Sequence, residues 1–160
     1  MTLESWERFR AARLWRVLIC AEGAQHTATL TAEGCQAIAA KLPGVPVAIV
    51  LLLEHIPFEV YEARGGALPE NVIGTILDAH YAPGVGVVAT LRLAEAKRDL
   101  HHVLVILHAA GVLRAGPSLV CHRSGANGDP ITDVETIYGV DIVWIPGHGG
   151  RFLAPLASER

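Results

Sequence analysis

The apolar residues of this 160-residue chain fall into short runs punctuated by glycine and proline. The longest, Val45 to Leu53, is itself interrupted by Pro46. A membrane-spanning helix needs ~20 consecutive apolar residues, so no membrane span is expected. Runs of this length suit strands buried on both faces. A hydrophobic share of 51% against 18% charged residues excludes a disordered chain. One domain of ordinary size is expected over residues 1–160, able to fold without disulfides or metal. The net charge of −3 argues against a basic nucleic-acid binder. Three cysteines without a CxxC spacing argue against a disulfide framework or zinc ribbon and fit a reducing compartment. The opening residues Met1 to Arg8 lack the basic region and apolar run of a signal peptide. No GxGxxG, Walker loop, HExxH or GxSxG is present, and Gly65-Gly66 and Gly149-Gly150 lack the strand–helix context of a phosphate cradle.

Periodicity and turn residues outline the elements. A helix is expected over Leu3 to Leu14 with Thr2 as N-cap, then a strand from Trp15 to Ala21 and a turn near His26 to Leu30. Thr31 caps a second helix to about Leu42, with Cys35, Ile38, Ala39 and Leu42 as its apolar stripe. Val47 to Leu53 is a buried strand, and Ile56 to Glu70 a surface loop. Val72 to Tyr81 and Val85 to Leu93 form a hairpin around Ala82-Pro83-Gly84. Glu95 to Ala110 is a helix with a Leu100, Val103, Leu104, Leu107 stripe and an αL cap at Gly111. A short strand follows from Leu119 to His122, with Ser118 opening it after a Gly116-Pro117 turn. Arg123 to Pro130 is a loop. Ile131 to Thr136 and Val140 to Ile145 are the last two strands, Pro146 to Gly150 is a loop, and the final ten residues are partly helical or frayed. These strands cannot all be joined by βαβ crossovers. The fold class is therefore α+β, an antiparallel, curved or barrel-like sheet surrounded by helices.

Three polar residues stand at or within apolar strands: His55, Ser118 and Asp141. A serine hydroxyl becomes a nucleophile when an imidazole takes its proton and a third group fixes that imidazole. A carboxylate flanked by Val140, Ile142 and Val143 needs a partner. Each residue also has an ordinary reading. Ser118 fits a turn, His55 a strand end facing solvent or bonded to backbone, and Asp141 a turn cap or an arginine pair.

The order of short blocks resembles a known family. Gly44-Val45-Pro46 is followed by Glu54-His55, then Val72-Ile73-Gly74, then Gly116-Pro117-Ser118-Leu119-Val120. Val140-Asp141-Ile142-Val143, Pro146 and Gly149-Gly150-Arg151 complete the series. From Trp15 to Leu153 the chain resembles the prohead (capsid maturation) proteases of tailed bacteriophages, which are related in fold to the herpesvirus assemblins. The resemblance implies a herpesvirus-protease-like fold and a serine endopeptidase. Ser118 would be the nucleophile, His55 the general base and then acid, and Asp141 the group orienting His55. Gly149, Gly150 and Arg151 match the oxyanion-hole segment. The implied substrates are the capsid scaffolding protein, the propeptide of the major capsid protein and the chain itself. The implied state is a homo-oligomer inside the procapsid, assembled in the host cytoplasm, with no cofactor, nucleic acid or membrane involved. Pro117 departs from the leucine usual there, and Gly147-His148 from the usual small pair. Glu54 and His148 rival Asp141 as third member. Relatives often carry a C-terminal scaffold or propeptide, so a chain stopping at Arg160 would be the bare protease or a trimmed product. A catalytically silent protease-like scaffold or capsid-binding domain is the alternative. A small-molecule esterase would need a preformed acyl pocket and lacks the GxSxG elbow.

The histidines form no metal-ligand set. His101 and His102 point ~100° apart on a helix, and no third ligand joins His101 and His108, so a role as helix-surface polar residues is expected. Cys20, Cys35 and Cys121 read as buried small hydrophobes. Lys97-Arg98-Asp99 reads as a solvated helix end. Phe58, Tyr61 and Leu68 are either partner contacts or loop anchors.

Overall fold

The computed structural model describes residues 2–25, 28–49 and 71–157. Helix α1 (Leu3–Ala12) begins at Thr2, whose hydroxyl accepts from the Ser5 amide, and ends at Arg13 in the left-handed region, φ 52°. Strand β1 (Leu14–Ala21) follows, then the small hairpin β2 (Gly23–Ala24) and β3 (Thr29–Leu30). Helix α2 (Ala32–Lys41) is capped by Thr31 and buries Cys35, Ile38 and Ala39, as its periodicity predicts. Strand β4 (Pro46–Ile49) is followed by β5 (Val72–Ala82) and β6 (Gly86–Leu93). A single 3-10 turn over Glu95–Lys97 leads into α3 (Arg98–Ala109). The chain ends in β7 (Gly116–Arg123), β8 (Val134–Val143) and β9 (Arg151–Leu156).

Among the described residues seven strands form one sheet in the order β7-β8-β4-β5-β6-β1-β9. All neighbours are antiparallel except β4 and β8, which run parallel, so the expectation of a purely antiparallel sheet is corrected at that pair. The sheet curls into a half barrel with three helices beside it. Its curvature has identifiable sources. Register shifts place an extra residue once in β1, twice in β5 and twice in β8, and extra residues of this kind bend strands and strengthen their twist. The core joins Trp15, Val17 and Ile19 of β1 to Leu91 and Ala89 of β6, Val140 and Ile142 of β8, Ile38 and Leu42 around α2, and Leu104 and Val105 of α3. Burying each of the larger aliphatic side chains contributes ~1.5–3 kcal/mol.

Three expectations change at this level. The region of Ile131 to Ile145 is not two strands. Val134–Val143 is one continuous strand, while Ile131 bridges Leu30 and accepts the Thr31 amide at 3.1 Å. Gly116 and Pro117 are not a turn before Ser118 but the first residues of β7, opposite Val143 and Ile142. Proline is admissible there because β7 is an edge strand. The C-terminal segment is not helical: Arg151–Leu156 pairs with β1 as the other edge of the sheet. No described helix is long and apolar enough to cross a membrane.

The two edges of the half barrel meet at glycines. A Cβ on Gly150 would lie 1.8 Å from the Pro117 carbonyl oxygen and 3.1 Å from that of Ile19. One on Gly116 would lie 2.4 Å from the Gly150 carbonyl oxygen. Backbone meets backbone across this seam, and only glycine fits. Gly150→Ala is therefore expected to destabilise the protein by ~1–3 kcal/mol or more through overpacking. Gly147→Ala, where nothing lies within 4 Å, should stay within about 0.5 kcal/mol of the parent. Urea denaturation of the pair checks this, and equal midpoints would show that the seam is not tight.

Candidate functional site

Strand β7 places Ser118 directly opposite Asp141 of β8, and on the far side of β8 Asp141 is paired with Ala48 of β4. Ser118, Asp141 and Ala48 thus form a row across three adjacent strands. Directly opposed residues on a sheet have Cβ atoms ~5 Å apart, so the hydroxyl and the carboxylate are neighbours. Leu119, Val140 and Ile142 point to the opposite face and join the core. Ser118 is 3% exposed, Asp141 0% and Ala48 1%. Val120 and Val143, two residues along each strand, are buried as well. A carboxylate in such surroundings is costly unless it is hydrogen-bonded, and neither Asp141 nor Ser118 is without a partner.

His55, the expected base, and Glu54, a rival third member, lie outside the described residues, as do Phe58, Tyr61, Leu68 and the Gly65-Gly66 pair. The last described residue before them, Ile49, pairs with Ile142. It therefore sits at the same end of the sheet as Gly116 and Val143.

The expected oxyanion segment lies beside the residues that precede Ser118. The Ala21 amide donates to the His148 carbonyl oxygen at 2.7 Å, holding the loop against the end of β1. Gly149 takes φ 73° there, a conformation in which glycine pays no Cβ penalty. Gly150 is buried against the Pro117 carbonyl, and Arg151 opens β9 opposite Leu18 with its side chain exposed. Ser118, Asp141 and the 149–151 segment are thus brought into one region of the sheet. His148 also lines a cavity of about 50 Å³ with Cys20, Leu119 and Cys121. Leu119 is on the face of β7 that Ser118 does not share.

The thiols belong to the core. Cys20 and Cys35 are buried and Cys121 is half-buried. Burial raises all three pKa values, those of Cys35 and Cys121 to about 11. Thiolate, not thiol, is the nucleophile, so burial and the raised pKa both disfavour reaction of these groups in the folded state. Among the described residues no set of three His, Cys, Asp or Glu side chains is arranged to hold a metal ion.

Two features escape the sequence reading. His101 is not on the helix surface: it is 0% exposed, accepts from the Trp15 indole N–H at 3.0 Å and bonds the Phe9 carbonyl at 2.8 Å through Nε2. Val103, placed in the α3 stripe, is instead 49% exposed, and the stripe is His101, Leu104 and Val105. The spacing of His101 three residues before Leu104 puts both on one helix face, and the buried indole N–H of Trp15 supplies the partner that lets the imidazole join the apolar stripe. The second feature is an apolar groove of about 210 Å³ between α3 and the end of β8, lined by Ile49, Leu104, Leu107, Leu113, Ile142 and Trp144. The apolar run predicts a strand as far as Ile145, but the strand stops at Val143. Trp144 and Ile145 lie beyond β8, 56% and 69% exposed.

No protein-family model matches the chain, and neither curated proteins nor solved structures give a match.

The thiol environment gives a direct check. At about pH 8, just below the ordinary thiol pKa, a chromogenic disulfide reagent should react very slowly with the folded protein and release three equivalents once urea unfolds it. Rapid release of one equivalent from the folded chain would mean that an activated thiol exists.

Proposed function

We propose that this chain is a serine endopeptidase of the phage prohead-protease type, with Ser118 as nucleophile, His55 as general base and Asp141 as the group that orients His55. The observation that carries the reading is the cross-strand pairing of Ser118 with Asp141 on a buried face. A hydroxyl opposite a carboxylate is chemically inert by itself. An imidazole bonded to both turns the pair into a nucleophile. His55 follows β4, the strand that pairs with β8 at Asp141, and the six residue steps from Ile49 to His55 span up to ~20 Å when extended. That reach covers the row.

In this reading His55 takes the Ser118 proton as Oγ bonds to the peptide carbonyl carbon. The C–N bond then breaks as His55 returns the proton to the leaving amine. Water, deprotonated by His55, attacks the acyl-enzyme, the ester bond breaks and Ser118 regains its proton. Asp141 keeps the ring in the tautomer that presents a bare nitrogen to Ser118. Backbone N–H groups of the 149–151 segment stabilise the oxyanion, and one such donor can be worth ~3 kcal/mol. The substrates are the scaffolding protein, the capsid-protein propeptide and the chain itself. The site of action is the procapsid interior, the working form is a homo-oligomer, and the herpesvirus-protease relation extends to the fold. The family resemblance in the sequence supports these last assignments.

A second reading, a silent protease-like scaffold or capsid-binding domain, draws on the 3% exposure of Ser118. A fluorophosphonate probe separates the two. The protease reading expects a covalent adduct on Ser118 in the parent chain. Ser118→Ala and His55→Ala should give none, and Asp141→Asn should label at least ~10²-fold more slowly. In cells that co-express scaffold and capsid protein, Ser118→Ala should leave both uncleaved. An unlabelled parent, or unchanged cleavage by Ser118→Ala, overturns the assignment.

A further inference from the structure

Helix α3 has two apolar sides, and the domain covers one of them. His101, Leu104 and Val105 are buried in the core. On the opposite side Val103 and Ile106 stand half exposed. A helix at the surface of a domain normally turns a polar face to solvent, and one that is apolar all round is buried. The exposed apolar surface continues past the helix. Leu107 lines the groove shared with Val112 and Trp144, and Ile145 follows. Of the seven exposed large apolar side chains among the described residues, five are Val103, Ile106, Val112, Trp144 and Ile145. Scattered apolar residues need no explanation, but a concentration of them marks a contact surface.

The outward side of α3 has a two-fold pattern. Asp99, Val103, Ile106 and Ala110 follow one another at intervals of four, three and four residues, which keeps them on one helix face. Val103 and Ile106 lie equally far from the middle of this stripe, and so do Asp99 and Ala110. When a second copy is laid antiparallel about that middle, Val103 meets the partner's Ile106, and the small Ala110 meets the partner's Asp99. A two-fold contact requires this reciprocity. The charges agree with it. Arg114 Nη1 donates to the Gly111 carbonyl at 3.4 Å, which keeps the guanidinium beside the end of α3. In the antiparallel pair that end faces the partner's Asp99. Neither Asp99 nor Arg114 forms an ion pair among the described residues. A parallel pair would instead set Asp99 against Asp99 and align the two helix dipoles.

We propose that this chain forms a two-fold dimer through α3, with Val103 and Ile106 at its centre, Trp144 and Ile145 at its flank, and Asp99 of each copy paired with Arg114 of the other.

Size sets the strength of the contact. Helix α3 has 12 residues and so is ~18 Å long. A strip of that length and one helix wide is narrow against the ~800 Å² that each partner contributes to a standard interface. Trp144 and Ile145 widen it, and the association is reversible. The dimer gives the homo-oligomer of the proposed reading its surface, but it does not rest on Ser118. The α3 surface and the Ser118–Asp141 row are built from different residues, so either assignment can fail alone.

Sedimentation equilibrium of the full chain tests this. Between about 1 and about 300 μM, the average mass is expected to climb from one chain toward two. Ile106→Asp puts a charge at the centre and should weaken association at least ~10-fold. Val85→Asp, at a similarly exposed site on the β5–β6 turn, should associate as the parent does. Asp99→Arg should weaken association as well, and adding Arg114→Asp to it should restore the dimer, because opposite charges again meet across the two-fold. The proposal is overturned by a parent that stays a single chain throughout or grows past two copies. It is equally overturned if Ile106→Asp associates like the parent, or if Val85→Asp weakens association as much. If Ile106→Asp does not fold, the exposed charge pair decides, and a double reversal that recovers nothing sinks the dimer. Fluorophosphonate labelling of Ser118 in the same samples reads the protease assignment separately.

Discussion

The missing side chain of Gly150 is the constraint on which the arrangement of this protein depends. Because nothing projects from that residue, the start of β9 can lie against the Pro117 carbonyl and beside Ile19. That approach brings the two edge strands of the sheet together and gives the half barrel its closed side. It also decides what stands beside Ser118. The residue after Pro117 inherits a neighbour, the 149–151 turn, from the far end of the sheet. Fold closure and site assembly are here one packing event. Edge strands otherwise expose unpaired backbone groups. In this sheet one edge carries Pro117 and the other Pro155, and each lacks a donor at its proline.

Local chemistry was legible where a single residue type forces the outcome. Thr2 and Thr31 cap helices because a side-chain oxygen must meet the first free amides. Pro83-Gly84 reverses the chain because few other pairs do so cheaply. Where two forces compete, the reading failed. The residues from Ile131 to Ile145 contain Asp133 and Glu135, and Tyr138-Gly139 looks like an interruption. Pairing with β7 on one side and β4 on the other overrides that and keeps β8 continuous. The C-terminal strand was hidden by Pro155, which breaks a strand signal unless the strand is an edge. Edge status is a property of the sheet, not of the segment.

The candidate site divides in the same way. That Ser118 and Asp141 both sit in apolar strands could be read from their flanks. That they oppose each other could not, because register depends on the shifts after Val120 and His122, and a slip of one residue would put them on opposite faces. His101 was misread for a related reason. Polarity predicts exposure only when no partner waits inside, and the partner, Trp15, is on a strand 86 residues away.

Asp141 bears on the choice between a catalytic and a silent domain. A purely structural strand at this position, between Ser118 and Ala48 and beside Val120 and Val143, would be better served by an aliphatic residue. Replacing buried ionic groups by well-packed apolar ones is often neutral or stabilising by ~1–4 kcal/mol. Apolar packing alone gives no account of an aspartate at 0% exposure, which needs a polar partner. The proposed role, orientation of an imidazole, needs an acceptor whose own position is fixed. The middle of β8, paired on both sides, is where the backbone holds such an acceptor most firmly.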